Sequence, residues 1–370
     1  MSSNSLKRLG TFGQSLWLDY IRRDLIASGE LHTMIVRDGL RGMTSNPAIF
    51  QQAIGESHAY DEAIGAMARQ GKGVQAIYET LSQDDVRSAA DAFLPVHERT
   101  GGVDGYVSLE VNPHLARDTE GTIREARRLW AALDRPNVLI KVPGTLEGLP
   151  AIRQLISEGI NVNVTLLFGL PRHRQVAEAY LAGLEDRRAQ GLAVDRAASV
   201  ASFFVSRIDG HVDPLLESFF EQRTKAADWA RELHGQVAVA SARLAYQCYK
   251  EIFGGPRFEA LAEAGARPQR LLWASTGTKN PDYSDVKYVE ALIGPETVDT
   301  APLETLAAYR DHGDPKARLE TEIPEARQAM ARLAELGIDI DDVTRQLEDA
   351  GVEKFNLPFD KLMETLAQRA

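Results

Sequence analysis

Short apolar runs recur along the whole chain, each followed by a longer amphipathic stretch, and few folds accommodate that alternation. The strand-like runs are Ser15–Asp19, Gly42–Asn46, Gly105–Val111, Val138–Val142, Ile160–Leu166, Val200–Val205, Arg270–Thr276 and Thr297–Thr300. Several, such as "VLIKV" and "ASFFV", are apolar nearly throughout, which suits parallel strands covered on both faces. Leu25–Val36, Asp84–Val96, Thr122–Leu133 and Arg174–Leu184 carry apolar residues every three or four positions and read as helices between them. Ser82 and Asp118/Thr119 read as helix starts, and Gly159 as the stop of a helix over Leu149–Glu158.

Eight such units predict a (β/α)8 TIM barrel, with residues 1–370 forming one domain. A doubly wound open sheet is the rival, but no Gly-x-Gly-x-x-Gly turn follows the first strand and no phosphate-binding Gly-x4-Gly-Lys-Ser/Thr loop occurs. The long stretch between Val205 and Arg270 predicts extra helices after strand 6, and Pro324–Ala370 predicts a charged helical tail.

Composition narrows the function. Forty-two Lys and Arg against 53 Asp and Glu give a net charge of -11, with no dense basic run, which argues against nucleic acid and anionic membranes as partners. Anionic small substrates stay open, because a few placed cations overrule net charge inside a cleft. The single cysteine, Cys248, allows neither an internal disulfide nor a cysteine-based metal site, and no His-x-His or His-Glu-x-x-His spacing is present. No apolar run is long enough for a membrane span and the N-terminus lacks an apolar signal segment, so a cytoplasmic location is expected.

Polar residues inside the apolar runs are the chemical signal. Asp19, Thr44, Asn46, Glu110, Lys141, Asn163, Thr165, Ser202 and Ser275 lie in or at the end of strands, and a barrel gathers its strand ends into one active face. Any one of them would serve a structural hydrogen bond; so many converging on one end points to a site. Lys141 stands among Val138, Leu139, Ile140 and Val142. An amine taken out of water holds its proton less tightly and becomes nucleophilic, as Schiff-base chemistry on a ketone requires. The structural alternative is an ion pair with Glu110 or Asp19. Those carboxylates are also the candidate proton carriers. His97, His114, His173 and His211 read as exposed or capping histidines.

With these residues in hand, the chain resembles the transaldolases of the non-oxidative pentose phosphate pathway, in a bacterial subgroup with longer inserts. The resemblance rests on "WLDYI" (17–21), "GMTSNPAIF" (42–50), "VSLEVNPHLARDT" (107–119), "VLIKVPGT" (138–145), "GINVNVTLLF" (159–168), "ASFFVSRIDGHVD" (201–213) and the closing "VEKFNLPFDKLMETL". It implies a class I aldolase-like barrel that needs no cofactor or metal and acts on sugar phosphates, and it allows a homodimer. It makes Lys141 the Schiff-base lysine, Asp19 the acid–base carboxylate, Glu110 its partner, and Thr165 the residue that holds a catalytic water with Glu110. Asn46 and Asn163, with Thr44 alongside, would bind substrate hydroxyls. Ser202 and Arg207 would bind phosphate, and Ser275 joins the substrate-binding set. Where many members carry Ser-Phe-Arg-Asn after the seventh strand, this chain has "ASTGTKN", so the second phosphate cation would be Lys279, at a shifted spacing. For Arg207 the bland alternative is a surface pairing with Asp209 or Asp213. The implied reaction moves a dihydroxyacetone unit from sedoheptulose 7-phosphate or fructose 6-phosphate to glyceraldehyde 3-phosphate or erythrose 4-phosphate. The alternatives are a class I aldolase that releases free dihydroxyacetone and a non-catalytic barrel that binds sugar phosphates.

Overall fold

The computed structural model describes residues 4–370, and within them eight parallel strands close into a barrel in chain order. The strands are β1 (Gln14–Asp19), β2 (Gly42–Thr44), β3 (Tyr106–Glu110), β4 (Val138–Pro143), β5 (Val162–Leu167), β6 (Ser199–Phe204), β7 (Arg270–Ala274) and β8 (Thr297–Ala301). Nearly every strand residue is buried, because side chains fill the barrel on one face and helices cover the other. The expected (β/α)8 architecture is therefore the observed one. Among the described residues no helix is long and apolar enough to cross a membrane.

Register places chemistry at one end. Asp19 of β1 pairs with Thr44 of β2, Glu110 of β3 with Lys141 of β4, and Lys141 in turn with Asn163 of β5. Parallel pairing puts all of them near the carboxyl ends, so the barrel itself, rather than any flexible loop, sets their spacing. The ladder between β5 and β6 slips between Val164 and Leu167, where Leu166 adopts a φ of +63°. Such irregularities re-aim neighbouring side chains and concentrate next to functional sites.

Several local expectations hold. Asp118 caps the helix Thr119–Leu133 by accepting from the Gly121 amide at 2.8 Å, and Gly159 ends the helix Gly148–Glu158 at a φ of +82°. Four helices fill the span between β6 and β7, among them Val237–Phe253, which packs against the later helix Ile323–Glu335.

Other expectations need correction. Ser82 starts no helix: it lies inside Val74–Arg99, its hydroxyl satisfied by donating to the Glu79 carbonyl at 3.3 Å. Leu25–Val36 is two short helices, split where Gly29 takes a φ of +79°. β2 stops at Thr44, because Asn46 turns out of the sheet to cap the helix Pro47–Phe50. β7 stops at Ala274, and Ser275 directly after it leaves the extended region with a φ of +55°. The helical tail is two helices, Ile323–Glu335 and Ile340–Arg369, and the second lies against the helices Pro47–Phe50, Val74–Arg99 and Ser206–Glu217. His173 is neither exposed nor capping. Both its ring nitrogens are buried without a hydrogen-bond partner among the described residues, and burial pushes its pKa down to about 4, which keeps the imidazole neutral.

Candidate active site

A cavity of about 220 Å³ opens at the carboxyl ends of the strands. Of the residues singled out from sequence, Asp19, Thr44, Asn46, Lys141, Thr165, Ser202, Arg207, Ser275 and Lys279 all line it. They come from six strands or strand ends and from the loops that follow, so the fold assembles what the chain keeps far apart.

Lys141 is 4 % exposed. Its Nζ donates to the Ser45 carbonyl at 3.1 Å and lies 3.5 Å from Glu110 Oε2 and 5.4 Å from the centre of the Phe355 ring. The ion pair entertained as a structural alternative thus exists, and it joins the two groups most able to exchange a proton. Burial pushes the Glu110 carboxyl up to about 7, with the Lys141 charge opposing the rise. A carboxyl poised there gives and takes protons near neutrality.

Asp19 sits deep in the barrel yet is reached through the mouth. Its Oδ1 accepts from the Thr44 hydroxyl at 2.6 Å, and Thr44 shares a further contact of 2.7 Å with the Thr300 hydroxyl. Burial raises its pKa; the Lys141 charge and the Thr44 hydrogen bond pull the other way. Thr165 presents a buried hydroxyl with no hydrogen-bond partner among the described residues, free to hold a water or a substrate group.

Arg207 follows β6 as the second residue of the helix Ser206–Glu217. It does not pair with Asp209 or Asp213. Asp209 is occupied by Lys287 (3.0 Å), Tyr288 (2.9 Å) and the Ala238 amide (2.7 Å), and Asp213 by Tyr283 and the Gly235 amide. The guanidinium instead lies 5.0 Å from the Phe204 ring, with Nη1 buried and without a partner among the described residues. Burial pushes its pKa down, and Asp19 partly restores it. A guanidinium left unpaired at the wall of a cavity is suited to an oxyanion, which it can hold through two N–H groups at once. Ser275 meets Ser206 at 2.9 Å between hydroxyls, which ties the turn after β7 to the start of the same helix.

Two residues of the set stand apart from the cavity. Asn163 lies one layer beneath it, its amide donating to Ser108 at 3.0 Å and its carbonyl oxygen accepting from Ser202 at 2.6 Å. It therefore holds Ser202 in place rather than lining the wall. Glu110 reaches Lys141 from the side and faces a separate small cavity. Sequence reading also missed wall residues: Thr300 in β8, Glu304 in the first turn of the helix Leu303–His312 that follows it, and Lys354 and Phe355 on the helix Ile340–Arg369. Thr300 carries a signal like the others, a polar residue near the end of a strand, whereas Glu304 reads only as an acid in the first turn of a helix. Lys354 and Phe355 carry none, since only tertiary packing brings that helix over the mouth.

The model of the family described as Transaldolase/Fructose-6-phosphate aldolase matches residues 16–366. The chain is 51% identical over 360 residues to a protein named Transaldolase from Thiobacillus denitrificans, covering 97% of this chain and 99% of that one. It is 48% identical over 373 residues to the Transaldolase of Trichodesmium erythraeum (100% and 98% covered) and 46% identical over 371 residues to that of Saccharopolyspora erythraea (100% and 99%).

Proposed function

The chain belongs to the transaldolase/fructose-6-phosphate aldolase family, and we propose from that premise how its own residues carry out transaldolase chemistry. The enzyme moves a dihydroxyacetone unit from a ketose phosphate to an aldose phosphate. Arg207, with Ser202 and Lys279, takes the phosphate. Lys141 attacks the C2 carbonyl. Glu110, poised near neutrality, gives the proton that lets the carbinolamine hydroxyl leave as water, with Thr165 holding that water. Asp19 then takes the proton of the C4 hydroxyl, and the C3–C4 bond breaks because the iminium on Lys141 accepts the electron pair. The aldose phosphate departs and the remaining enamine attacks the next aldose phosphate, the steps running in reverse. Thr44, Asn46 and Ser275 stand around the chain of hydroxyls; Asn163 acts through Ser202.

The observation that carries this reading is a buried lysine at ion-pair distance from one carboxylate and in one cavity with a second carboxylate. Transfer is preferred to release of free dihydroxyacetone because the relatives similar over almost the whole chain bear the name transaldolase. Residues 1–370 act in this reading as a single barrel domain, supported by the helix Ile340–Arg369 contributing Lys354 and Phe355 to the wall. The family resemblance extends the reading to a cytoplasmic homodimer, which sedimentation velocity and cell fractionation would test. Borohydride in the presence of fructose 6-phosphate should fix a reduced dihydroxyacetone group on the peptide containing Lys141. Label on another lysine, or full turnover by Lys141→Ala, refutes the assignment.

A further inference from the structure

Glu110 lies between two compartments. On one side is Lys141 Nζ, 3.5 Å away, at the edge of the substrate-sized cavity. On the other is a separate cavity of about 20 Å³ behind the end of β3, walled by Tyr78 and Ser82 of the helix Val74–Arg99, by Asn112, and by the apolar Leu109 and Leu129. Neither Lys141, Asp19 nor Thr165 lines this second space, and Glu110 does not line the first. A polar space of that size holds about one water. It also has a use for one: both carboxyl oxygens of Glu110 are buried and lack a hydrogen-bond partner among the described residues. The Tyr78 hydroxyl is pushed up chiefly by burial and next by the charge of Glu110, so the two groups feel each other across this space. Gln75, also on its wall, is exposed, which gives the cavity an outer end.

We propose that this side cavity is the water port of the Schiff-base steps, through which water leaves and re-enters past Glu110 while the substrate occupies the mouth. The proposal rests on the reading of Glu110 as the proton donor given above. In the forward direction the carbinolamine C–O bond breaks, its oxygen takes a proton from the Glu110 carboxyl and departs as water, and the nitrogen lone pair closes the C=N bond of the iminium. Hydrolysis is the reverse and consumes one water. A bound sugar phosphate fills a 220 Å³ cavity over which Phe355 lies, so the mouth is a poor exit for that water. The hydroxyls of Tyr78 and Ser82 offer it partners on the way out.

Isotope exchange tests this without an acceptor present. Each cycle of imine formation and hydrolysis in ¹⁸O-water places label at C2 of fructose 6-phosphate, whereas single-turnover release of glyceraldehyde 3-phosphate needs no exchange with bulk water. Ser82→Val fills the port with methyl groups. The exchange rate should fall about tenfold or more, a barrier rise of about 1.4 kcal/mol, while single-turnover release stays within about twofold. Ser82→Ala removes the hydroxyl but keeps the space, so its exchange should fall far less than that of Ser82→Val while its release matches the wild type. If Ser82→Val fails to fold by circular dichroism, Ser82→Thr and Tyr78→Phe take its place, each with a smaller fall in the exchange-to-cleavage ratio. An unchanged ratio in folded variants, with Glu110→Gln impaired, overturns the port alone. Wild-type exchange and cleavage by Glu110→Gln overturns the underlying reading of Glu110 instead.

Discussion

Arg207→Ala should separate phosphate binding from carbon chemistry, and the size of the expected effect follows from the geometry. In the free enzyme the guanidinium has a buried Nη1 without a partner among the described residues, and the nearby acids Asp209 and Asp213 are already occupied. Its hydrogen-bonding capacity is therefore held in reserve. A charge-assisted hydrogen bond contributes roughly 1.5–3 kcal/mol, so losing it should weaken apparent affinity for phosphorylated ketoses about ten- to a hundredfold. Steady-state kinetics on fructose 6-phosphate against unphosphorylated fructose reads this directly: kcat/KM for the first should collapse and for the second barely move. Inorganic phosphate should inhibit the wild type competitively and the variant much less. Stability supplies an independent check. An unpaired buried donor costs about 1–3 kcal/mol, and the lost contact with Phe204 returns roughly 0.5–1 kcal/mol of that, so the melting temperature of Arg207→Ala should hold or rise. Equal kinetic losses on both donors, together with a lower melting temperature, would show that Arg207 supports the fold and not the phosphate.

The two carboxylates should fail differently: Asp19→Asn should lose carbon–carbon cleavage by about 10²–10⁴-fold while still forming an imine, and Glu110→Gln should slow imine formation itself. Rapid-quench trapping that finds one intermediate at one rate in both variants would refute the division. Asp299 is wholly buried in the middle of β8, bonded at 3.0 Å to the Thr276 hydroxyl, and burial pushes its carboxyl up to about 7 from 3.8. Because the folded value lies above the unfolded one, its stabilisation is complete below about pH 3.8 and is lost as pH rises through about 7. Asp299→Asn keeps an acceptor for Thr276 and removes the titration, so its melting temperature should decline less than the wild type's between about pH 5 and 8. Parallel curves would show that Asp299 does not titrate in that window.

What sequence could and could not foresee divides along physical lines. β4 and β6 are continuous apolar runs between turn residues, and their bounds are foreseen within a residue because burial on both faces leaves a signal in every position. Ser82 misleads for the opposite reason. A cap signal is local, and the burial of Ile77 and Leu81 before it carries the helix straight through. Lys141 betrays itself by being charged in an apolar strand, whereas the commitment of Asn163 to Ser108 and Ser202 depends on registers across three strand pairs that no spacing reveals. Phe355 and Lys354 lie more than two hundred positions from Lys141, and nothing in their own helix distinguishes a residue facing the mouth from one facing solvent.

The charge of the chain acquires its meaning at this cavity. The molecule carries -11 overall, yet the wall brings together Lys141, Arg207, Lys279 and Lys354 against Asp19 and Glu304. Four cations facing two carboxylates give the cavity wall an excess of positive charge in a molecule that is acidic overall, which suits an anionic ligand there. In the proposed mechanism the arrangement would also set the order of the chemistry. Lys141 is an ion-pair partner to Glu110 before substrate arrives, and an iminium on the same nitrogen keeps one positive charge beside that carboxylate. On that proposal Glu110 would face a cation through much of the cycle, while Asp19, on β1 and hydrogen-bonded to Thr44, would be left for the sugar's own hydroxyl. One lysine charge, placed by pairing β4 with β3, would then serve both as electron sink and as the fixed point around which two carboxylates take different work.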